Sequence, residues 1–185
     1  MSKSSVKKLL CFNVIKGLDC KYEENCKYAH NLNDQIIEIK TLETIKLILG
    51  DYSLDKMDCN YYSTLIFFTK YCNECLRNNC IGAYNCKYGT FSKSLKICNN
   101  DFLIGMCSNL VIDLDVDKNI LIKIGINNNI FKGCENGHHL TYRGMEPLMA
   151  HFGPLKYSLP FKINVKRDSS SDEEEFLKLL DSSIS

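Results

Sequence analysis

The chain has 185 residues, 45% of them apolar, and its 23 basic and 22 acidic residues leave a net charge of +1. This suits one or two small folded domains, and no apolar run approaches the ~18 residues a membrane span needs. Eleven cysteines follow an opening, "MSKSSVKKLLCF", that has neither a long apolar core nor a small-residue cleavage site, so a soluble intracellular protein is expected, its thiols serving as ligands of a metal, zinc by default, rather than as disulfides.

Residues 1–31 form the first expected unit. Cys11, Cys20, Cys26 and His30 are spaced C-x8-C-x5-C-x3-H. Three thiolates and an imidazole fill a tetrahedral zinc site completely, which makes the metal structural. This stretch resembles the CCCH zinc-finger family, whose pattern is C-x7-8-C-x5-C-x3-H, over about residues 7–30. The resemblance implies that these four residues are the ligands. It also implies that Tyr22 and Tyr28, each two positions after a cysteine, stack between the bases of single-stranded RNA, with Lys7, Lys8, Lys21 and Lys27 adding charge. Here one finger stands alone, and "VKKLLC" only partly matches the lead-in of the tandem type.

Residues 32–166 are expected to form an α+β body stapled by two further zincs. Apolar residues recur at helical spacing from Asp34 to Leu49, with Asp34 placed to cap the start and Gly50 the end. A second helix is expected over about 58–70, although its aromatic and β-branched content also fits a buried strand. Next, "CIGAYNCKYGT" repeats the Asn-Cys-Lys-Tyr of the first unit, but Thr90 stands where His30 stood. Three ligands make a poor structural zinc site. The pair Cys72-x2-Cys75 can complete a set with Cys80 and Cys86; Cys59 or a cysteine of the next set could take a place in it.

That next set is Cys98-x8-Cys107 with Cys134-x3-His138, His139 competing for the last place. Between Cys107 and Cys134 lie 26 residues instead of five. Such lengthening costs only ~1.4 kcal/mol of closure entropy, against ~10–16 kcal/mol for binding a structural zinc. Residues 109–125 alternate apolar and polar on either side of "DKN", and predict a β-hairpin inserted in this third site. Three zincs would use every cysteine but Cys59. Residues 127–165, which contain Gly133, Gly137, Gly144, Gly153 and all three prolines, are expected to be irregular.

The acidic stretch "DLDVDKN" begins like a calcium loop, but Lys118 stands where glycine is needed and Ile124 where glutamate belongs. Asp113 and Asp115 therefore read as the solvent face of a strand, and His151 has no evident partner. No enzyme is expected. From 167 to 185 the chain is expected to be a disordered tail: from Asp168 onward six acidic residues face one Lys178, a net −5 that leaves +6 elsewhere. The tail suits a protein partner, with Ser169, Ser170 and Ser171 in a setting that acid-directed kinases favour.

The whole predicts a non-enzymatic, zinc-dependent protein that binds single-stranded RNA, acting in a cell's cytoplasm or nucleus, or carried in a virion. Its Asn, Lys and Ile richness resembles that of proteins from AT-rich genomes, large DNA viruses among them, and a lone finger on an unrelated body is similar in layout to some viral mRNA or transcription regulators. The alternative is a protein-interaction or virion structural component in which every zinc is a staple.

Overall fold

The computed structural model describes residues 7–50, 59–109, 112–114, 116–126 and 131–152. The acidic tail, Asp115 and the side chain of Cys59 lie outside them. The first element is a single helical turn, α1 (Phe12–Ile15), followed by a 3-10 turn at Glu23–Asn25.

Helix α2 (Ile39–Leu49) begins five residues later than its apolar spacing suggested. Asp34 does not cap it. Its carboxylate instead holds Lys7 Nζ at 2.8 Å and accepts the His30 N–H. Gln35 is drawn inward, donating to the carbonyls of Lys8 and Gly82. Tertiary bonds thus take the polar groups that would have started the helix, and Glu38 N–H is satisfied by Asn85 Oδ1 at 2.8 Å. At the other end Gly50 adopts φ 105° and its N–H closes onto the Lys46 carbonyl, the left-handed ending that glycine allows without strain.

Helix α3 (Cys59–Phe68) settles the helix-or-strand ambiguity of that stretch in favour of helix. Its Tyr62, Leu65 and Phe68 are buried, facing Ile45, Ile48 and Leu49 of α2 in one core cluster. Two short helices follow, α4 (Asn73–Leu76) and α5 (Asn99–Ile104), with 3-10 turns at Ala83–Asn85 and Lys93–Leu95 between them. Phe102 of α5, Leu95 and Ile97 extend the same core.

The expected hairpin over 109–125 is not formed. Strand β1 (Ile112–Asp113) is followed by a helix, α6 (Lys118–Ile124). The residues read as a turn are a helix start: Asp117 Oδ1 accepts the Asn119 N–H at 2.8 Å, and Gly125, at φ 76°, ends the helix. Ile120, Leu121 and Ile124 are then buried while Ile122 is exposed, a pattern that alternation cannot satisfy but a helix face can. The partner of β1 is β2 (Lys132–Cys134), which pairs in turn with β3 (Gly137–His138). The antiparallel sheet has the order β1-β2-β3 and registers Ile112 with Gly133 and Gly133 with His138. Gly133 is required there, because a Cβ would lie 2.2 Å from the Gly137 carbonyl oxygen.

The stretch expected to be irregular thus supplies two strands and, after a 3-10 turn at Thr141–Arg143, a last helix, α7 (Leu148–Phe152). Asp101 of α5 is buried, and its carboxylate accepts the N–H groups of Leu140 and Thr141 and the Thr141 hydroxyl. It fixes this C-terminal segment to the core. Among the described residues no helix is long and apolar enough to cross a membrane.

Candidate metal centres and the cleft beside the first

The three cysteine sets are built on one backbone plan, here called the first, second and third modules. Each opens with a parallel bridge just before its first cysteine: Leu10 with Ala29, Tyr71 with Thr90, Ile97 with His138. In each, the N–H of that cysteine donates to the bridged residue's carbonyl, Cys11 to Ala29 at 2.7 Å, Cys72 to Thr90 at 2.9 Å and Cys98 to His138 at 2.9 Å. The cysteine is then the N-cap of a short helix, α1, α4 or α5. A left-handed residue follows the helix in every case: Gly17, Asn78 or Gly105, with φ between 55° and 74°. The chain then returns to the second cysteine, Cys20, Cys80 or Cys107.

The third cysteine is held alike in all three. Cys26 Sγ accepts the Tyr28 N–H at 3.5 Å, Cys86 Sγ the Tyr88 N–H at 3.5 Å, and Cys134 Sγ the Asn136 N–H at 3.4 Å. A backbone donor aimed at sulfur favours the thiolate, the form that binds a metal. The first two modules share still more, since Glu23 and Ala83, each three residues before its third cysteine, both take the uncommon φ of 40° to 45°.

The fourth ligand distinguishes the modules. His30 immediately follows the bridged Ala29, and His139 immediately follows the bridged His138. In the second module the residue after bridged Thr90 is Phe91, which meets the Tyr84 ring edge-on at 5.0 Å and packs against the core. There the fourth sulfur comes from Cys75, three residues into the module, where the first module has Val14. The lost histidine is therefore replaced from the opposite end of the module.

The resulting groups are Cys11, Cys20, Cys26 and His30; Cys72, Cys75, Cys80 and Cys86; and Cys98, Cys107, Cys134 and His139, the ligand atoms of each group lying within 4.8 Å of one another. Each suits a metal ion, and the donor chemistry is that of structural zinc. A tetrahedral zinc with bonds of about 2.3 Å spaces its sulfurs about 3.8 Å apart. The Cys80–Cys86 and Cys107–Cys134 sulfurs are both 3.8 Å apart and Cys98–Cys107 3.6 Å, far beyond a disulfide bond. The Nε2 atoms of His30 and His139 are buried and, among the described residues, have no hydrogen-bond partner. Leaving such an atom unsatisfied costs ~1–3 kcal/mol, and a bound metal would remove that cost.

The expected ligand His138 is corrected to His139. The His138 ring points away from the cysteines, where Nε2–H donates to the Ser94 carbonyl at 2.8 Å and the ring meets Phe131 edge-on. Burial pushes its pKa down to about 4, so it is a neutral residue of the core. The cause is alternation along extended backbone: the bridged His138 faces the core and its successor His139 faces the three cysteines. Burial likewise pushes the Cys98 thiol up to about 12.

A cleft of about 450 Å³ opens beside three cysteines of the first module. Tyr22, Tyr28 and Phe12 line it together with Lys27, Asn13 and Asn25. All three rings are exposed, Tyr22 by 71%. Of the residues expected to contact RNA, Tyr22, Tyr28 and Lys27 thus come together. Lys21 is exposed beside Tyr22 but does not line the cleft. Lys7 and Lys8 are engaged elsewhere, by Asp34 at 2.8 Å and Glu38 at 3.4 Å. Phe12, Asn13 and Asn25 were not anticipated, though Phe12 is marked by its place directly after a ligand at the start of α1. Asp113 is exposed on β1, and His151 is held by Glu146 and stacked on Tyr62.

The chain is similar to an uncharacterized protein of Acanthamoeba polyphaga mimivirus, with 36% identity over 173 aligned positions. The alignment covers 78% of this chain and 61% of that relative, so the chain spans less than two thirds of its length. A relative in a giant virus is consistent with an origin in a large DNA virus. No family model matches the sequence. No solved structure matches it either.

Proposed function

We propose that the protein is a zinc-dependent, non-enzymatic binder of single-stranded RNA that acts as a viral mRNA or transcription regulator, with the first module as a CCCH finger at its centre. The observation that carries this reading is the cleft: three exposed rings and a lysine amine gathered on a module too small to bury them. Rings so arranged accept bases by stacking, worth ~1–3 kcal/mol per base, while Lys27 and Lys21 attract the phosphates. Cys11, Cys20, Cys26 and His30 would hold the zinc, which supplies no chemistry beyond fixing α1, which carries Phe12, and the segment from Cys20 to His30, which carries Tyr22 and Tyr28. Each metal group has four protein ligands and leaves no position for substrate, which supports binding rather than turnover. The acidic tail is assigned a protein partner.

The test is a salt titration of binding to a fluorescent single-stranded RNA by anisotropy. Affinity should fall as salt rises, and Tyr22→Ala/Tyr28→Ala should lose it with zinc content unchanged. One observation favours the second reading, a zinc-stapled interaction or virion component: Lys7 and Lys8 are matched by acids, which lowers the charge near the module. Absence of RNA affinity at low salt would decide for that reading.

A further inference from the structure

We infer that the RNA site spans the first two modules, with Tyr88 as a second stacking platform and Lys87 and Lys70 as its cations. The inference rests on the RNA reading of the first module and extends it to a part of the chain expected chiefly to staple the core. Its basis is the shared backbone plan. Tyr88 stands two residues after Cys86 as Tyr28 does after Cys26, and each donates its N–H to that cysteine's sulfur at 3.5 Å. The two side chains therefore leave equivalent points of equivalent loops.

Tyr88 is 75% exposed, while Tyr84 of the same module is buried and Phe91 packs against the core. A ring left outside an available core suits a ligand with flat faces. Lys87 precedes it, and the Lys70 carbonyl accepts the Thr90 N–H two residues beyond it. Both lysines are exposed, and among the described residues neither forms an ion pair, unlike Lys7 and Lys8. Flat faces carrying negative charge describe a single-stranded nucleic acid better than a protein.

The two modules are also bonded directly to each other. Leu10 N–H donates to the Ile81 carbonyl at 2.8 Å, and Gln35 Nε2 bridges the carbonyls of Lys8 and Gly82. Asn85 Nδ2 bridges those of Lys8 and Ile36. A strand that reaches both modules meets a preorganised surface, with no ordering of one module against the other. The contacts are unequal. Where the first module has Tyr22 the second has Gly82, whose Cβ would lie 2.8 Å from Cys86 Cα, and where it has Phe12 the second has Asn73. The second module offers a platform and not a cleft.

The experiment measures binding of a 12-nucleotide single-stranded RNA to the full zinc-loaded chain and to Tyr88→Ala, Tyr88→Phe and Tyr22→Ala/Tyr28→Ala, with zinc content as the check on folding. Tyr88→Ala should weaken binding about 5- to 150-fold, and Tyr88→Phe, which keeps the ring, should not. Unchanged affinity in Tyr88→Ala alongside loss in Tyr22→Ala/Tyr28→Ala would overturn the second platform and leave the RNA reading standing. Equal losses in Tyr88→Ala and Tyr88→Phe would overturn stacking by this ring. No RNA affinity in the unaltered chain would overturn both readings, and tighter binding of the matching DNA strand would overturn the choice of RNA.

Discussion

Replacing Cys75 by valine gives the second module the residue that the first has at Val14, and removes one of the four sulfurs gathered there. The position following the bridged residue, which supplies the fourth ligand in the other two modules, holds Phe91 here and offers no replacement. With ~10–16 kcal/mol of apparent binding energy shared among four ligands, one ligand is worth roughly 3 kcal/mol, so zinc affinity at this site should fall about 150-fold. The loss should spread. Asn85 and Gly82 of this module carry the hydrogen bonds to Lys8, Gln35, Ile36 and Glu38, and the Ile97 N–H that opens the third module is held by the Phe68 carbonyl. The assay is native mass spectrometry for stoichiometry with a chromophoric chelator for affinity. Three zincs are expected in the parent chain and two in Cys75→Val under chelator competition. Adding Phe91→His sets an imidazole directly after bridged Thr90, as His30 follows Ala29 and His139 follows His138, and should recover the third zinc. Retention of three zincs with unchanged affinity in Cys75→Val would refute the assignment of Cys75 and the shared plan behind it.

The adjacent histidines should separate by phenotype. His139→Ala should lose one zinc. His138→Ala should keep all three but lose about 3 kcal/mol in chemical denaturation, from the buried ring and the orphaned Ser94 carbonyl. Asp34→Asn should cost at most ~1 kcal/mol, because the Lys7–Asp34 pair is about one-third exposed, with side chains at 35% and 32%, and water screens it. Lys7 holds the Asp34 carboxyl below its ordinary value. Its stabilisation is therefore complete above the unfolded value near ~3.9 and is lost as pH falls through the lower folded one, so the parent and variant stability curves should converge at acid pH.

Legibility in the sequence followed range. Cys11, Cys20, Cys26 and His30 lie within twenty residues and share one metal-ligand chemistry, so spacing alone brought them together, and the sulfurs of Cys72, Cys75, Cys80 and Cys86 were grouped for the same reason. Tyr22 and Tyr28 were legible because a module this small has little interior in which to hide a ring. The segment 118–124 was misread because a run as apolar as Ile120–Ile124 satisfies both strand and helix spacing, and the Asp117 cap and Gly125 ending carried the decisive signal. Asp34 was misassigned because its competitor for the carboxylate, Lys7, lies 27 residues away.

The sequence by itself determined which side chains can ligate a metal and roughly which loops hold them, since softness and spacing are local properties of the chain. Only the tertiary structure decided that His139 and not His138 turns toward the three cysteines, that a helix and not a hairpin fills residues 118–124, and that the first two modules bond directly to each other. Those outcomes depend on which backbone groups pair across distant segments, and such pairings are chosen by the competition to satisfy every buried donor and acceptor at once, which no local pattern records.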